Sequence, residues 1–264
     1  MNALRHLTST DHTSFFGRLL RFPLRIVPSG TVVRIATGLN KGLKWICGSS
    51  IQRCWFGTYE FDKQDFVAGI VKPGMTVWDV GANVGFYTLA FSRLVGASGA
   101  VFAFEPLAAN VAYLLRHIEL NSLSNVTVIQ AALSDTVDLV GFSATRVSSI
   151  GAISERNGSY LLPTLTAENV ISRLPKSSPD LIKLDVEGAE AAILCASKDL
   201  LDRHSPDILL ALHGAVQEQA CSKLLTDLGY RLFSLDGVEI KSDGTLMHDE
   251  VFATRGPLRS PPQK

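Results

Sequence analysis

Apolar and polar positions follow two rhythms along this chain, and the rhythm changes near Tyr59. Upstream, "GTVVRIATGLNKGLKWICG" carries short apolar runs broken at Gly38, Gly42 and Gly48, which predicts short strands and turns. Downstream the pattern is regular. A helix is predicted over Glu60 to Ile70, stopped by "KPG" at Lys72 to Gly74. "TVWDV" then reads as a strand, Phe86 to Val95 as a helix, and "AVFAFE" as a strand. "PLAANVAYLLRHIELN" is a helix with Pro106 in its first turn and a stripe at Val111, Leu114, Leu115 and Ile118. "VTVIQ" is a strand, and the Ser- and Gly-rich stretch from Asp138 to Tyr160 suits a hairpin. "TAENVISRL" (helix), "DLIKLDV" (strand), Glu190 to Leu201 (helix with a break), "DILLALH" (strand) and Val216 to Leu228 (helix) continue the alternation. "YRLFSL" and "DEVFATR" end it as strands placed to pair antiparallel.

Strands alternating with helices predict a doubly wound, mostly parallel α/β sheet covered on both faces. The unbroken apolar runs "VFAF", "LIKL" and "ILLAL" fit buried strands. The expected sheet has seven strands with one antiparallel at its edge, on residues 58–264, preceded by an N-terminal arm over residues 1–57.

Composition narrows the partners. The 264 residues are 46% hydrophobic, with 25 basic and 25 acidic side chains. A neutral chain argues against nucleic acid as the main partner. Cys47, Cys54, Cys195 and Cys221 form no CxxC pair and read as free thiols in a reducing, cytoplasmic setting, with Cys195 and Cys221 as small core residues. No apolar run is long enough for a transmembrane helix, and no signal peptide is expected. "FFGRLLRFPLRIVPSG" interleaves Arg18, Arg21 and Arg25 with apolar residues. It is read as an arm packed on the main domain, with a peripheral membrane contact as the alternative.

Three motifs carry chemistry. In "DVGANVG", Asp79 ends a strand and precedes Gly81, Asn83 and Gly85. This is not the GxGxxG of a dinucleotide site, and a carboxylate beside the turn suits a cationic cofactor better than a pyrophosphate. In "FEP", Glu105 follows Asp79 by twenty-six positions at the end of the next strand, where an acid can accept from ribose hydroxyls. In "LIKLDVEGAE", Lys183, Asp185, Glu187 and Glu190 crowd the end of an apolar strand, where buried charges need partners.

"DVGANVGFYTLA", "VFAFEP", "AALSD" and "LIKLDVEGAE", in this order and after "GTYEFD", resemble the FkbM family of S-adenosylmethionine-dependent methyltransferases. The resemblance runs from about Gly57 to His213. It implies a class I methyltransferase (Rossmann-like) fold, S-adenosyl-L-methionine as cofactor, and O-methylation of a hydroxyl on a sugar, glycolipid, polysaccharide or polyketide-like acceptor. It implies cofactor contacts at Glu60, Asp79, Gly81, Asn83, Gly85, Glu105, Pro106, Asp135 and Asp185. Two positions depart from the family pattern. Thr166 stands where an aspartate is common, although threonine can also cap a helix. His213 ends a strand that often ends in glutamate.

The catalytic candidates are Asp185, His213, Lys183 and Glu187. If their strands are neighbours, Asp185 and His213 form a carboxylate–imidazole pair over the reacting methyl group. No metal site is assigned, because Asp185 and Glu187 are only two carboxylates in one short stretch. The competing readings are a cofactor-binding scaffold that has lost catalysis and, further off, an NAD-dependent oxidoreductase.

Overall fold

The computed structural model describes residues 27–144, 151–153, 160–174, 177–240 and 250–258. It opens with β1 (Val32–Arg34) and β2 (Lys44–Ile46), paired antiparallel, then α1 (Gln52–Phe56) and α2 (Phe61–Ile70). The regular alternation follows as β3 (Thr76–Val80), α3 (Phe86–Val95), β4 (Ala100–Phe104), α4 (Ala108–Leu120) and β5 (Val126–Ile129). Four strands interrupt it: β6 (Ala132–Leu133), β7 (Leu139–Ala144), β8 (Gly151–Ile153) and β9 (Tyr160–Leu165). It resumes with α5 (Ala167–Arg173), β10 (Leu181–Leu184), α6 (Glu190–Ala196), α7 (Lys198–His204), β11 (Asp207–Ala211) and α8 (Ala215–Asp227). The last strands are β12 (Arg231–Phe233), β13 (Glu239–Ile240) and β14 (Glu250–Thr254).

The main sheet has the order β13-β12-β14-β11-β10-β3-β4-β5, with β11, β10, β3, β4 and β5 mutually parallel. The doubly wound architecture is as expected, with one difference. The antiparallel strand β14 is not at the edge. It lies between β11 and β12, antiparallel to both, and the two-residue β13 takes the edge as an eighth strand. The reason is legible in β14 itself: Val251, Phe252 and Ala253 are all buried, so both of its faces need cover, as for an interior strand. Alternate residues feed two cores. Trp78, Val80, Ile182, Leu184, Ile208 and Leu210 point to one, and Val77, Leu181, Leu209 and Phe252 to the other.

Between Asp138 and Tyr160 the expected hairpin forms as β7 against β8, and β9 adds to the other side of β7. The helix expected over Glu190 to Leu201 breaks at Ser197, which ends α6 and begins α7. Thr166 caps α5 by accepting from the Asn169 amide, so it fills the role an aspartate would have. All four cysteines are free. Cys221 is buried, but Cys195 is exposed, because it lies on the outer face of α6.

The sheet's centre holds a buried ion pair. Lys183 and Asp79 are register partners on β10 and β3. Lys183 Nζ lies 3.1 Å from Asp79 Oδ1 and 3.5 Å from Asp185, with Lys183 3% and Asp79 0% exposed. Thr88 donates to the other Asp79 oxygen at 2.6 Å, and Lys183 donates to the Gly81 carbonyl. Burial alone would lower the Lys183 pKa, but Asp79 and Asp185 outweigh it and hold the ammonium charged.

Residues 27–57 pack into the second core. Ile35, Trp45 and Cys54 cluster with Phe66, Phe86 and Leu89, so a boundary at Gly57 passes through this core. His117 of α4 fastens the segment. Its Nε2 accepts from the Ile46 amide, its Nδ1 faces the Val84 carbonyl at 2.8 Å, and Trp45 stacks on the ring at 4.0 Å. That pattern requires a neutral ring protonated on Nδ1. Burial, with the Val84 bond and Arg116 as smaller influences, pushes the His117 pKa down to about 4. Arg18, Arg21 and Arg25 lie outside the described residues.

Removing one member of the buried pair strands the other. Lys183→Met should cost about 3–5 kcal/mol of stability by leaving Asp79 uncompensated. Asp79→Leu/Lys183→Met should cost less than Lys183→Met alone, as urea titration would show. A double variant as unstable as the sum of the singles would mean the two side chains act independently.

His117 predicts an acid-sensitive fold. The native ring stays neutral while the unfolded ring takes a proton below its ordinary pKa near 6.5. This contribution is therefore complete above pH 6.5 and is lost as pH falls towards about 4, amounting to roughly 3 kcal/mol. His117→Phe should be less stable than wild type at pH 7.5, with a shallower loss between pH 6.5 and 4.5. Parallel pH dependences in the two proteins would rule this role out.

Candidate functional site

The order of the main sheet reverses between β3 and β10. From β3 the chain steps outward through β4 and β5, and from β10 it steps the other way to β11. In open α/β sheets the crevice at such a reversal, beyond the carboxyl ends of the strands, is where ligands bind. A cavity of about 910 Å³ lies there, lined by Val80, Phe104, Lys183 and Ala211 from the four strand ends and by the loops that follow them. Residues 48–51 and Cys54 form part of its wall, and burial raises the Cys54 thiol pKa to about 12.

The glycine turn after β3 shapes one side. Gly81 has φ +77°, and a Cβ there would stand 1.9 Å from the Asp185 carbonyl oxygen. Its glycine therefore serves the contact between two loops of the protein. Asn83 is left-handed at φ 51°, and its side-chain oxygen accepts from the Val84 amide. Gly85, at φ +98°, faces Leu114 rather than the cavity. Glu105 binds this turn to α4. One carboxylate oxygen accepts from the Asn83 amide at 2.8 Å, and the other from the Leu107 amide at 2.9 Å and Asn110 at 3.1 Å. A carboxylate offers about four acceptor positions, so about one is left to face a ligand. Burial raises the Glu105 pKa despite these donors.

Charge is unevenly distributed around the cavity. Five carboxylates, Glu60, Glu105, Asp185, Glu187 and Glu250, line it against the ammoniums of Lys63 and Lys183. Lys63 is already shared between Glu60 and Glu250 and lies 5.2 Å over the Tyr87 ring. Burial would raise the Asp185 pKa, but Lys183, Lys63 and His213 lower it below the usual carboxylate value. Leu133, Val140 and Leu162 make an apolar wall beyond Glu105.

The carboxyl ends of β10 and β11 meet at His213. Its Nδ1 lies 2.7 Å from Glu190 Oε1, while Nε2 faces Asp185 Oδ1 at 3.8 Å and Glu187 Oε2 at 3.4 Å. Gln217 of α8 steadies the loop between by accepting from the Ala191 amide and donating to the Gly188 carbonyl. Burial opposes protonation of the ring, but Glu190, Glu187 and Asp185 together raise its pKa above the ordinary value.

Most of the residues proposed from the sequence as cofactor contacts or catalytic groups meet here: Glu60, Gly81, Asn83, Glu105, Pro106, Lys183, Asp185, Glu187 and His213 all line the cavity. Three do not. Asp79 is wholly buried and engaged with Lys183 and Thr88, so it stands behind the site. Gly85 turns towards α4, and Asp135 is exposed and hydrogen-bonded to Ser134. The strands of Asp185 and His213 are neighbours, but the carboxylate hydrogen-bonded to the ring is Glu190. Tyr59, Lys63, Tyr87 and Glu250 also line the cavity. Only the proximity of "GTYEFD" to the first motif hinted at Tyr59 and Lys63. Nothing in the order of residues brings Glu250 to Lys63.

A model of the Methyltransferase FkbM domain matches residues 79–232. Hexuronic acid methyltransferase AglP of Haloferax volcanii is 24% identical over 152 residues, 57% of this chain and 61% of that protein, so the match spans less than two thirds of its relative. Among solved structures, methyltransferase FkbM of Methylobacillus flagellatus aligns at 17% identity over 69% of this chain and 43% of that one, with a TM-score of 0.49. A SAM-dependent O-methyltransferase of Thermotoga maritima aligns at 18% identity over 89% and 81%, with a TM-score of 0.46. With its glycine turn, its paired acids and more than half of its length inside one family model, the chain belongs to the FkbM methyltransferase domain family.

Proposed function

We propose that this protein transfers a methyl group from S-adenosylmethionine to a hydroxyl of a sugar-bearing acceptor. The observation that carries the reading is the orientation of His213. A buried carboxylate holds Nδ1, and Nε2 faces the cavity that Glu105 borders at its other end. The residues fit the cofactor. The remaining acceptor position of Glu105 suits a ribose hydroxyl, the apolar wall at Leu133 and Leu162 suits a purine, and the excess of carboxylates suits a sulfonium and an ammonium. The turn after β3 reads G-A-N-V-G rather than the GxGxxG that seats a dinucleotide pyrophosphate, which counts against the NAD reading.

When bound, S-adenosylmethionine supplies a methyl group on a positively charged sulfur. The chain's residues do the rest. Glu105 and the Gly81–Asn83 turn hold one end of the cavity in place, and placement supplies much of the rate of an in-line transfer. A protonated hydroxyl is a poor nucleophile, and neutral His213 takes its proton on Nε2 as the oxygen attacks. Glu190, bonded to Nδ1–H, stabilises the imidazolium that results. The acceptor lies between His213 and the wall formed by residues 48–51. The excess of carboxylates there favours a neutral sugar face over a uronate, although the likeness to a hexuronic acid methyltransferase makes a uronate the first alternative to assay.

Glu105→Ala should weaken binding of S-adenosylhomocysteine by about 1.5–3 kcal/mol, or roughly 10- to 150-fold. Calorimetry measures this directly, and an unchanged affinity would remove Glu105 from the cofactor site.

Turnover should rise with pH through the His213 pKa, because only the neutral ring accepts a proton. That limb should lie above the ordinary histidine value near 6.5, since the surrounding carboxylates raise the pKa. Glu190→Gln should move the limb to lower pH, and His213→Ala should lower kcat about 10²–10⁴-fold while keeping S-adenosylhomocysteine affinity. Full turnover of His213→Ala on a methylated sugar acceptor would exclude the imidazole from the chemistry.

A further inference from the structure

The same cluster carries a second reading, which concerns what else can occupy it. One nitrogen and two carboxylate oxygens, from His213, Asp185 and Glu187, lie within 4.8 Å of one another. A cation with ligand bonds of about 2.1 Å needs adjacent donors roughly 3.0 Å apart in an octahedron and roughly 3.4 Å apart in a tetrahedron. Here Nε2 stands 3.4 Å from Glu187 Oε2 and 3.8 Å from Asp185 Oδ1. Small side-chain rotations bring both into range, and the His213, Asp185 and Glu187 side chains are 31%, 26% and 37% exposed.

The surroundings point the same way. A ligating histidine almost always donates its other ring N–H to a carboxylate or carbonyl, which turns the free lone pair on the metal. His213 makes that bond to Glu190, which is 0% exposed. The second oxygen of Glu190 is buried without a hydrogen-bond partner among the described residues. Glu190, Glu187 and Asp185 thus converge on one imidazole, while the nearby Lys183 ammonium is already engaged by Asp79. The cluster carries more negative charge than its own cations neutralise, part of it in a buried carboxylate.

We infer that Asp185, Glu187 and His213 form a divalent-cation site at the end of the cavity away from Glu105, with Glu190 orienting the histidine ligand. One imidazole and two carboxylates, with positions left open to the cavity, suit a first-row ion such as Mn²⁺, Co²⁺ or Zn²⁺ better than Ca²⁺, which takes six to eight oxygens. The cation and the acceptor's proton compete for Nε2, so occupancy takes His213 out of its role as proton acceptor. The site shares residues with the proposed function, but its occupancy does not rest on methyl transfer.

The test is Mn²⁺ binding to the full-length protein, followed by electron paramagnetic resonance and calorimetry, with S-adenosylhomocysteine affinity measured on the same samples. One ion per chain is expected, with nitrogen coupling from the imidazole. His213→Ala and Glu187→Gln should each weaken Mn²⁺ binding at least tenfold. Glu190→Gln should weaken it about 10- to 100-fold. All three should keep their fold by circular dichroism and their S-adenosylhomocysteine affinity. Glu187→Gln is an exposed, conservative change, so its result does not depend on stability. A wild-type chain that binds S-adenosylhomocysteine but no Mn²⁺ would overturn the inference, as would undiminished Mn²⁺ binding by Glu187→Gln/His213→Ala. Mn²⁺ binding without S-adenosylhomocysteine binding would support the cation site and count against the cofactor reading alone.

Discussion

Lys183 and Asp79 face each other across two neighbouring strands in the centre of the sheet, and the arrangement of the site depends on that pair. Removing two charges from water costs several kcal/mol each unless they meet in good geometry. The register that places them opposite each other is therefore strongly preferred over its neighbours. A slip of one residue would bring Lys183 against Trp78 or Val80 and turn every side chain of β10 to the wrong core. The correct register also sets the loops beyond. Lys183 reaches the Gly81 carbonyl and Asp185, and Gly81 lies so close to the Asp185 backbone that no side chain fits between them. The pair thus fixes the two walls of the cavity relative to each other, although Asp79 itself does not line it.

Buried carboxylates do different work at the two ends of that cavity. Glu105 is held by three donors of its own chain, ties the glycine turn to the start of α4, and keeps about one acceptor position for a ligand. Glu190 is held against His213 and decides which ring nitrogen faces the cavity. Both act by orienting a neighbour, and both sit where the peptide chain leaves a strand for a helix. An imidazole turned in this way is ready for a proton or for a cation, and the carboxylates around it favour either positive species.

The first described segment belongs to the same body. Trp45 lies on His117, Ile46 donates to that ring, and Asn40 donates to the Phe86 carbonyl at the start of α3. The helix that carries His117 starts beside Glu105, and the helix that Asn40 touches carries Thr88, the partner of Asp79. The wall formed by residues 48–51 is consequently positioned by the helices that position the Glu105 end of the cavity. Burial of a neutral histidine at this junction makes the attachment sensitive to acid.

Periodicity placed the main-sheet strands and the helices from β3 to α8, because each of those strands buries a near-continuous apolar run, but it did not reveal β6 or β9, which pair in the smaller sheet. It also indicated that Glu105, Asp185 and His213 would gather at one sheet edge, since residues that end parallel strands share that edge in any sheet of this kind. It did not reveal the position of β14, because a strand's neighbours are chosen by which faces remain uncovered after the others have packed. Nor did it separate Asp79 from the cavity: a carboxylate at a strand end reads the same whether its partner is a ligand or a lysine on the next strand. The choice of Glu190 over Asp185 as the partner of His213, and the meeting of Lys63 with Glu250 across 187 positions of chain, belong to the tertiary structure alone. Hydrogen bonds of that kind depend on distances of a few tenths of an ångström between distant segments, which no local pattern of residues encodes.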